Sequence, residues 1–368
     1  MNERTFARLI ADLESTDFVK VEAAANTIAA LRDENIRPLL EKALREGKPV
    51  VQRVMLWALR NYETDDYTPY LQYLLSEDSD VKEAAQVLFM AENPAAEIAL
   101  DAALSAPDVR LQYASVETLG HLRTASAEAS LISALSAKEA AVRSLAASAL
   151  SPFPSEKTTE ALIFCLSDEA DEVRLSALFS LRRRPLSAEQ LKSVLPPAED
   201  AEPEIRAAAV YVLDAAAPDA AAADSDFRVR RAAAETTASP AVLEALCKDA
   251  EASVRTAAAD AAAKRKLVFE ETFISMLSDA HPGVRRAAAA ALGNACGASA
   301  ERAVDALAFA LRDKKPGVRA ACANALAQIG GEKAKAALEA ASSVKNPILS
   351  GIMKNALELL TKKENEGR

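Results

Sequence analysis

The sequence predicts an all-α protein, an α-solenoid superhelix of about twelve stacked helical hairpins. Three observations lead to this prediction. The chain is half hydrophobic with only 5% aromatic residues, its apolar residues follow a helical spacing, and one motif recurs along its whole length. Much of the apolar content is alanine, which is the strongest helix former and allows close helix contacts. The composition therefore favours helices packed on helices.

The recurring motif is clearest in "DAHPGVRRAAAAALG" (Asp279–Gly293) and "DKKPGVRAACANALAQIG" (Asp313–Gly330). In each copy an acid and a turn precede an aliphatic residue, an Arg and an alanine-rich helix. We take the aliphatic residue as an anchor, and successive anchors lie 24 to 34 residues apart. The anchors are Val21, Val51, Val81, Leu111, Val142, Val173, Ile205, Val229, Val254, Val284, Val318 and Leu349. Twelve such units fill the chain.

Each unit reads as two helices and a turn. The anchor opens the second helix, with small or apolar residues three, four and seven positions later, which form one helical face. A shorter apolar pattern such as "YLQYLL" or "ALIFCL" precedes it, and turns such as "SEDSD" supply capping acids. One hairpin cannot bury its own apolar faces, so the units must stack. We expect a single array over residues 1–360 and a disordered tail over 361–368.

The pattern D-x(n)-V-R-x-x-A-A-x-A-L, with a period near 30 residues, resembles the HEAT repeat. It looks most like the short bacterial form named after phycobilisome lyases, and the resemblance covers essentially the whole chain. It implies a superhelix whose concave face is lined by the second helices. The stretch 224–259 has shorter steps and resembles the leucine-rich repeat variant, in which a 3₁₀-like segment replaces the first helix. We therefore expect shortened units at about 214–260, with a hinge at Asp214–Asp226.

Acids and arginines recur at one spacing, which allows two interpretations. They are a row of basic hooks on one surface, or they pair between neighbouring units as a ladder, as the resemblance to HEAT arrays implies. We expect the ladder, because half-buried pairs of this kind fix register more than they add stability. Its predicted members are Asp168, Arg174, Asp279, Arg285, Asp313 and Arg319.

Charge and patterning exclude several classes of function. The net charge of −10 argues against general affinity for nucleic acid or anionic membranes. Residues 1–184 carry −9 of it. No stretch reads as a signal peptide or a membrane span, and four well-separated cysteines indicate buried thiols in a reducing compartment. We expect a cytoplasmic protein without a membrane partner. An alternative is nucleic-acid binding through a basic ridge near 228–286, formed by Arg228, Arg230, Arg231, Lys264, Arg265, Lys266, Arg285 and Arg286.

The sequence offers little for catalysis. HEAT-like hydroxylases hold two irons with His-Glu pairs, but His121 is followed by Leu and His281 by Pro. Glu117 and His121 lie four residues apart and form at most half a metal site. We predict no catalytic, cofactor-binding or metal-binding residues and no cofactor. The alternative, which the resemblance to phycobilisome-lyase repeats implies, is a bilin lyase-like enzyme subunit.

One region differs from the rest of the chain. Residues 61–109 hold eleven acids and one base, Lys82. Rigid aromatic residues suit binding hot spots, and acids attract a basic partner. We predict a non-enzymatic scaffold that binds a basic protein or peptide here or on the concave face. The partner's identity and the oligomeric state stay open. The predicted partner-binding residues are Trp57, Tyr62, Glu63, Asp65, Asp66, Tyr67, Tyr70 and Tyr73.

The same region has a structural interpretation, which is a locally larger core. Trp57 falls within a helical pattern, and we expect it to be buried together with at least one tyrosine. Tyr62 and Tyr67 belong to the polar turn "NYETDDYTPY", where we expect exposure.

Overall fold

A computed structural model describes residues 1–91, 93–217, 219–342 and 347–366. The side chains of residues 298, 347–349 and 363–366 lie outside this description. The predicted anchor Leu349 is one of these residues. Every regular element of the described residues is an α-helix or a 3₁₀ helix, which confirms the all-α prediction. The chain divides into two compact units, Met1–Ser193 and Val194–Arg368.

The first compact unit contains six helical hairpins followed by a short helix. In the third hairpin the 3₁₀ helix Thr68–Leu75 replaces the first α-helix. The α-helices are α1 (Glu3–Leu13), α2 (Phe18–Ala29), α3 (Arg37–Glu46), α4 (Pro49–Leu59), α5 (Ser79–Phe89), α6 (Pro94–Ala103), α7 (Val109–His121), α8 (Ala125–Ala134), α9 (Ala140–Ala149), α10 (Glu156–Phe164), α11 (Asp171–Leu181) and α12 (Ala188–Lys192).

The second compact unit continues the same alternation. In its first two hairpins the second helices are α13 and α14, and the 3₁₀ helices Pro196–Glu199 and Asp219–Ala223 precede them. The α-helices are α13 (Pro203–Leu213), α14 (Phe227–Thr236), α15 (Pro240–Leu246), α16 (Ala252–Lys264), α17 (Glu270–Met276), α18 (Pro282–Leu292), α19 (Ala298–Ala310), α20 (Pro316–Ile329), α21 (Gly331–Ser342) and α22 (Pro347–Glu366).

Local sequence explains where these helices begin and end. The side chains of Asp17, Asp78, Asp108 and Asp226 accept hydrogen bonds from backbone N–H groups at the starts of their helices. Proline occupies the first turn of α4, α13, α18 and α20, where its missing N–H has no cost. Gly330 has φ +82°, a conformation that favours glycine and separates α20 from α21.

The core lies between the helix layers within each unit. Nine anchors are at most 2% exposed: Val51, Val81, Val142, Val173, Ile205, Val229, Val254, Val284 and Val318. In the first unit α7, α9 and α11 pack side by side, and in the second unit α14, α16, α18 and α20 do the same. The second helices therefore form one continuous layer over these stretches, as expected when each hairpin is buried by its neighbours.

Two further predictions concern the end of the chain and the segment between α13 and α14. The predicted disordered tail at 361–368 is wrong for most of its length, because α22 continues to Glu366. Residues 367–368 lie outside the described residues. Between α13 and α14 the chain forms the 3₁₀ helices Asp214–Ala216 and Asp219–Ala223 instead of a first α-helix. The hinge that we predicted there stays a prediction.

None of the described helices combines the length and the apolar composition needed to cross a membrane.

Candidate functional site

All four tyrosines of the predicted partner-binding region are buried. Tyr62 is 3% exposed and Tyr67 is 2% exposed, so the expectation that both lie at the surface is wrong. Tyr67, Tyr70 and Tyr73 lie three residues apart, and a 3₁₀ helix with three residues per turn places such residues on one face. The Tyr67 ring is 6.0 Å from that of Tyr70 and 5.5 Å from that of Phe89. The polar composition of the turn predicted exposure, because it does not reveal on which face of the 3₁₀ helix each tyrosine lies.

Trp57 is 43% exposed, which contradicts the expectation of a core residue. It is the one residue between Val54 and Leu59 that is not buried. Trp57 lies six positions after its anchor, off the buried face, and Phe179 at the same position of α11 is 57% exposed. The Arg53 guanidinium lies 5.4 Å from the centre of the indole ring, a cation–π distance. Arg53 also forms a 2.7 Å ion pair with Asp80.

The predicted acids lie in the loop that follows α4. Glu63, Asp65 and Asp66 are all exposed. The loop is held from both sides, because Arg37 Nη1 donates to the Glu63 carbonyl at 2.7 Å and Asn93 Nδ2 donates to the Thr64 carbonyl at 3.2 Å. The Asp66 carboxylate accepts the Thr68 N–H, and the hydrogen bonds from Thr68 hold the pKa of Asp66 below its usual value. These acids therefore occupy an ordered loop.

A cleft of about 260 Å³ lies beside this loop, between α3 and the 3₁₀ helix Thr68–Leu75. Tyr70 OH donates to Glu41 Oε1 at 3.1 Å, and Arg37 Nε donates to the same oxygen at 3.0 Å. Burial and the nearby Glu41 carboxylate raise the pKa of Tyr70 to about 12, so the phenol stays protonated. Tyr73 OH donates to the Leu44 carbonyl at 3.1 Å. Sequence reasoning missed the cleft, because Glu41 precedes the tyrosines by one repeat.

Arginines and aspartates of neighbouring repeats form a series of forked ion pairs. In each pair Arg Nε and Nη2 donate to the two carboxylate oxygens of an Asp in the next repeat, and both side chains are mostly buried. The pairs are Arg143–Asp168, Arg206–Asp224, Arg230–Asp249, Arg255–Asp279 and Arg285–Asp313. Arg Nη1 in each pair donates to carbonyls of its own repeat's turn.

The predicted ladder residues occupy this series, in which the ion pairs join neighbouring repeats. Asp168, Asp279 and Asp313 accept the arginine of the preceding repeat. The arginine six residues after each acid donates instead to that acid's backbone carbonyl, as Arg174 and Arg319 do. Asp224, Asp249 and Arg206 were not among the predicted residues, and Arg230 was predicted as part of the basic ridge. The aspartates lie five residues before an anchor and the arginines one residue after an anchor. This spacing was the sequence signal that could have identified them as members of the series.

Ion pairs neutralise four of the eight residues of the predicted basic ridge. Arg228 contacts Asp226 and Glu204, and Arg231 contacts Glu235. Arg265 donates to backbone carbonyls at the end of α14, among them that of Glu235. Arg230 and Arg285 belong to the forked pairs. Lys264, Lys266 and Arg286 stay exposed without an ion pair among the described residues.

The described residues hold no group of three or more His, Cys, Asp or Glu that suits a metal ion. Glu117 forms an ion pair with Lys82 at 3.1 Å and does not pair with His121. Cys165, Cys247 and Cys322 are buried as expected, but Cys296 is exposed. Cys296 follows the end of α18 and lies in the loop before α19, whereas the other three lie within or at the ends of packed helices.

Comparison with known proteins agrees with this architecture. A family model for HEAT repeats matches residues 96–182 and 270–349. No curated protein sequence matches the chain.

Several solved structures share the fold at low sequence identity. Importin beta is 14% identical with a TM-score of 0.57, covering 97% of this chain and 61% of that one. Kap95p, solved with RanGDP, is 14% identical with a TM-score of 0.59, covering 97% and 59%. Kap121p bound to Pho4p is 15% identical with a TM-score of 0.53, covering 98% and 50%. The chain thus spans about half to three fifths of these proteins.

Proposed function

Because the chain is an α-solenoid that contains HEAT repeats, we propose that it is a non-enzymatic scaffold that binds a basic segment of another protein. The proposed surface consists of Trp57 and the acidic loop formed by Glu63, Asp65 and Asp66. Stacked repeats give a long, continuous surface without requiring any catalytic group. The function therefore depends on which side chains the repeats leave at the surface.

The exposed indole of Trp57 is the observation that carries this proposal. Large aromatic side chains are enriched at the centres of protein interfaces, where they contribute contact area at a low entropy cost. Arg53 lies over the Trp57 ring and is tied to Asp80, so the indole is already oriented. An oriented side chain loses less freedom when a partner binds.

Charge supports a basic partner. The loop beyond α4 exposes three carboxylates, and the nearby loop before α3 adds Asp33 and Glu34. Opposite charge around an aromatic contact speeds association and selects partners more than it raises affinity. The fold also suits protein partners, since the similar Kap121p is bound to Pho4p and the similar Kap95p binds RanGDP.

A site-specific photocrosslinker tests the proposal. We would place p-benzoylphenylalanine at Trp57 and, as the matched control, at Phe164, which is 83% exposed in the same compact unit. Irradiation in lysate should crosslink a lysine- or arginine-rich segment at position 57 only. The crosslink should disappear when Glu63, Asp65 and Asp66 are changed to Lys. Equal crosslinking at both positions, or no crosslink at position 57, would contradict the proposal.

A further inference from the structure

The cleft between α3 and the 3₁₀ helix Thr68–Leu75 has the features of a side-chain receptor. We propose that it takes one long basic side chain of the partner. This inference rests on the proposed function, because it names the residue type that anchors the basic segment. The proposal follows from the shape of the cleft, its free carboxylate oxygens and the state of its arginines.

The walls of the cleft suit an aliphatic stem. Leu44, Pro69 and the rings of Tyr70 and Tyr73 line it, and its volume is about 260 Å³. Lys and Arg side chains place their methylene groups along apolar surface while the charged end reaches polar groups. The tyrosine hydroxyls are already engaged, with Glu41 and with the Leu44 carbonyl. The tyrosines therefore present ring surface, which also attracts cations.

Two carboxylates line the same cleft and have unused oxygens. Arg37 and Tyr70 both donate to Oε1 of Glu41, and Oε2 receives no hydrogen bond from the described residues. The Asp66 carboxylate is exposed and accepts hydrogen bonds only from Thr68 among the described residues, which leaves it further acceptor sites. A guanidinium or ammonium group satisfies such oxygens through charge-assisted hydrogen bonds.

The lining also contains two arginines, whose contacts bear on whether a ligand of the cleft is positively or negatively charged. Arg37 is occupied by Glu41 through Nε and by the Glu63 carbonyl through Nη1. Arg45 is exposed at the rim and has no ion pair among the described residues. An anionic ligand would face Glu41 and Asp66 inside the cleft and the acidic loop outside it. The two arginines and two carboxylates of the lining balance in charge. The exposed carboxylates of Glu63 and Asp65 in the adjoining loop make the surroundings negative, which favours a basic ligand.

The first experiment uses N-acetylarginine amide as the probe and N-acetylcitrulline amide as its uncharged control. The protein is labelled with ¹³C at the Cε positions of its six tyrosines and followed by NMR. The arginine probe should shift Tyr70 and Tyr73 in a saturable manner. Tyr113 does not line the cleft, and its signal should stay in place. Citrulline should produce no shift.

Substitutions then separate charge from shape. Glu41→Gln keeps an oxygen for Arg37 and Tyr70 but removes the charge, and it should weaken binding of the arginine probe about tenfold. Arg45→Glu should strengthen that binding about threefold, because it removes the opposing cation. Asp66→Asn lies in the exposed loop and serves as a second test if Glu41→Gln lowers the melting temperature.

The outcomes distinguish this inference from the scaffold proposal. Equal binding of citrulline, shifts confined to Tyr113 or no shift at saturating arginine would overturn the cleft proposal. A crosslink at Trp57 that persists in those cases would leave the scaffold proposal standing. Arginine binding in the cleft without any crosslink at Trp57 would support the cleft proposal and contradict the scaffold proposal.

Discussion

Arg285 binds both carboxylate oxygens of Asp313, which lies 28 residues later in the chain, with Nε–Oδ2 and Nη2–Oδ1 distances of 2.6 and 3.0 Å. The same guanidinium donates through Nη1 to the carbonyl of Asp279 at 2.8 Å. One side chain therefore ties the turns of two successive repeats together.

Breaking this pair should destabilise the second compact unit. Asp313→Ala leaves a mostly buried guanidinium without its partner, which costs about 3 kcal/mol. Arg285→Met combined with Asp313→Leu should recover most of the loss, because it removes both charges. The measurement is urea denaturation, with Lys192→Ala as the control at an exposed ion pair worth less than about 1 kcal/mol. Equal effects of Asp313→Ala and Lys192→Ala would refute the prediction.

The forked pairs should also give the protein an acid-sensitive stability. The hydrogen bonds from Arg285 hold the pKa of Asp313 below its ordinary value of 3.8. The stabilisation is complete above that ordinary value and is lost as the pH falls through the lower pKa of the folded state. Asp313→Asn should therefore lose less stability than the wild-type chain between about pH 5 and about pH 2. Parallel pH profiles of the two proteins would contradict this.

Asp260 should behave in the opposite way. Burial raises its pKa, and it has no ion pair or hydrogen bond within the described residues. A raised carboxyl pKa means that the folded state is penalised once the pH exceeds the ordinary value. Asp260→Asn should raise the melting temperature at pH 7, and the gain should vanish below about pH 3. Asp305→Asn, at an exposed ion pair with Lys333, is the control and should change little.

Trp57 and Tyr67 should respond differently to truncation. Tyr67 packs against Tyr70 and Phe89, so Tyr67→Ala should cost about 3 to 5 kcal/mol of unfolding free energy. Trp57→Ala should cost less than Tyr67→Ala, because a side chain that is 43% exposed leaves no closed cavity. Thermal denaturation followed by circular dichroism measures both. A larger loss for Trp57→Ala would show that the indole is a packing residue and not a contact for a partner.

The cysteines should differ in reactivity by position. Burial raises the pKa of Cys165 to about 11 and those of Cys247 and Cys322 to about 12, which keeps all three as thiols. A maleimide should therefore label the native protein once, at Cys296, and label all four cysteines in denaturant. Cys296→Ser should abolish native labelling. Mass spectrometry counts the adducts, and a second native adduct would contradict the burial of these thiols.

Much of the fold could be predicted from the sequence because repetition is a local property. An acid, a turn and an aliphatic anchor such as Val284 recur along the chain with helical spacing, and nine of the twelve anchors are buried as this spacing requires. The sequence predicted that acids and arginines pair between neighbouring units, but not the direction of the pairing. Arg285 and Asp279 share a repeat, yet the carboxylate that Arg285 binds belongs to the following one. Only stacking brings those two turns together.

The sequence by itself determined the helical hairpins, their number and the acidic character of residues 61–109. Tertiary structure decided which of the aromatic residues reach the surface. Trp57 lies in an apolar helix and is exposed, because its position is off the packed face. Tyr67 lies in a polar turn and is buried, because a 3₁₀ helix aligns it with Tyr70 and Tyr73. Local composition indicates whether a side chain favours water or the core. Whether that side chain is buried depends on the helix type, which sets the face it lies on, and on the elements that pack against that face.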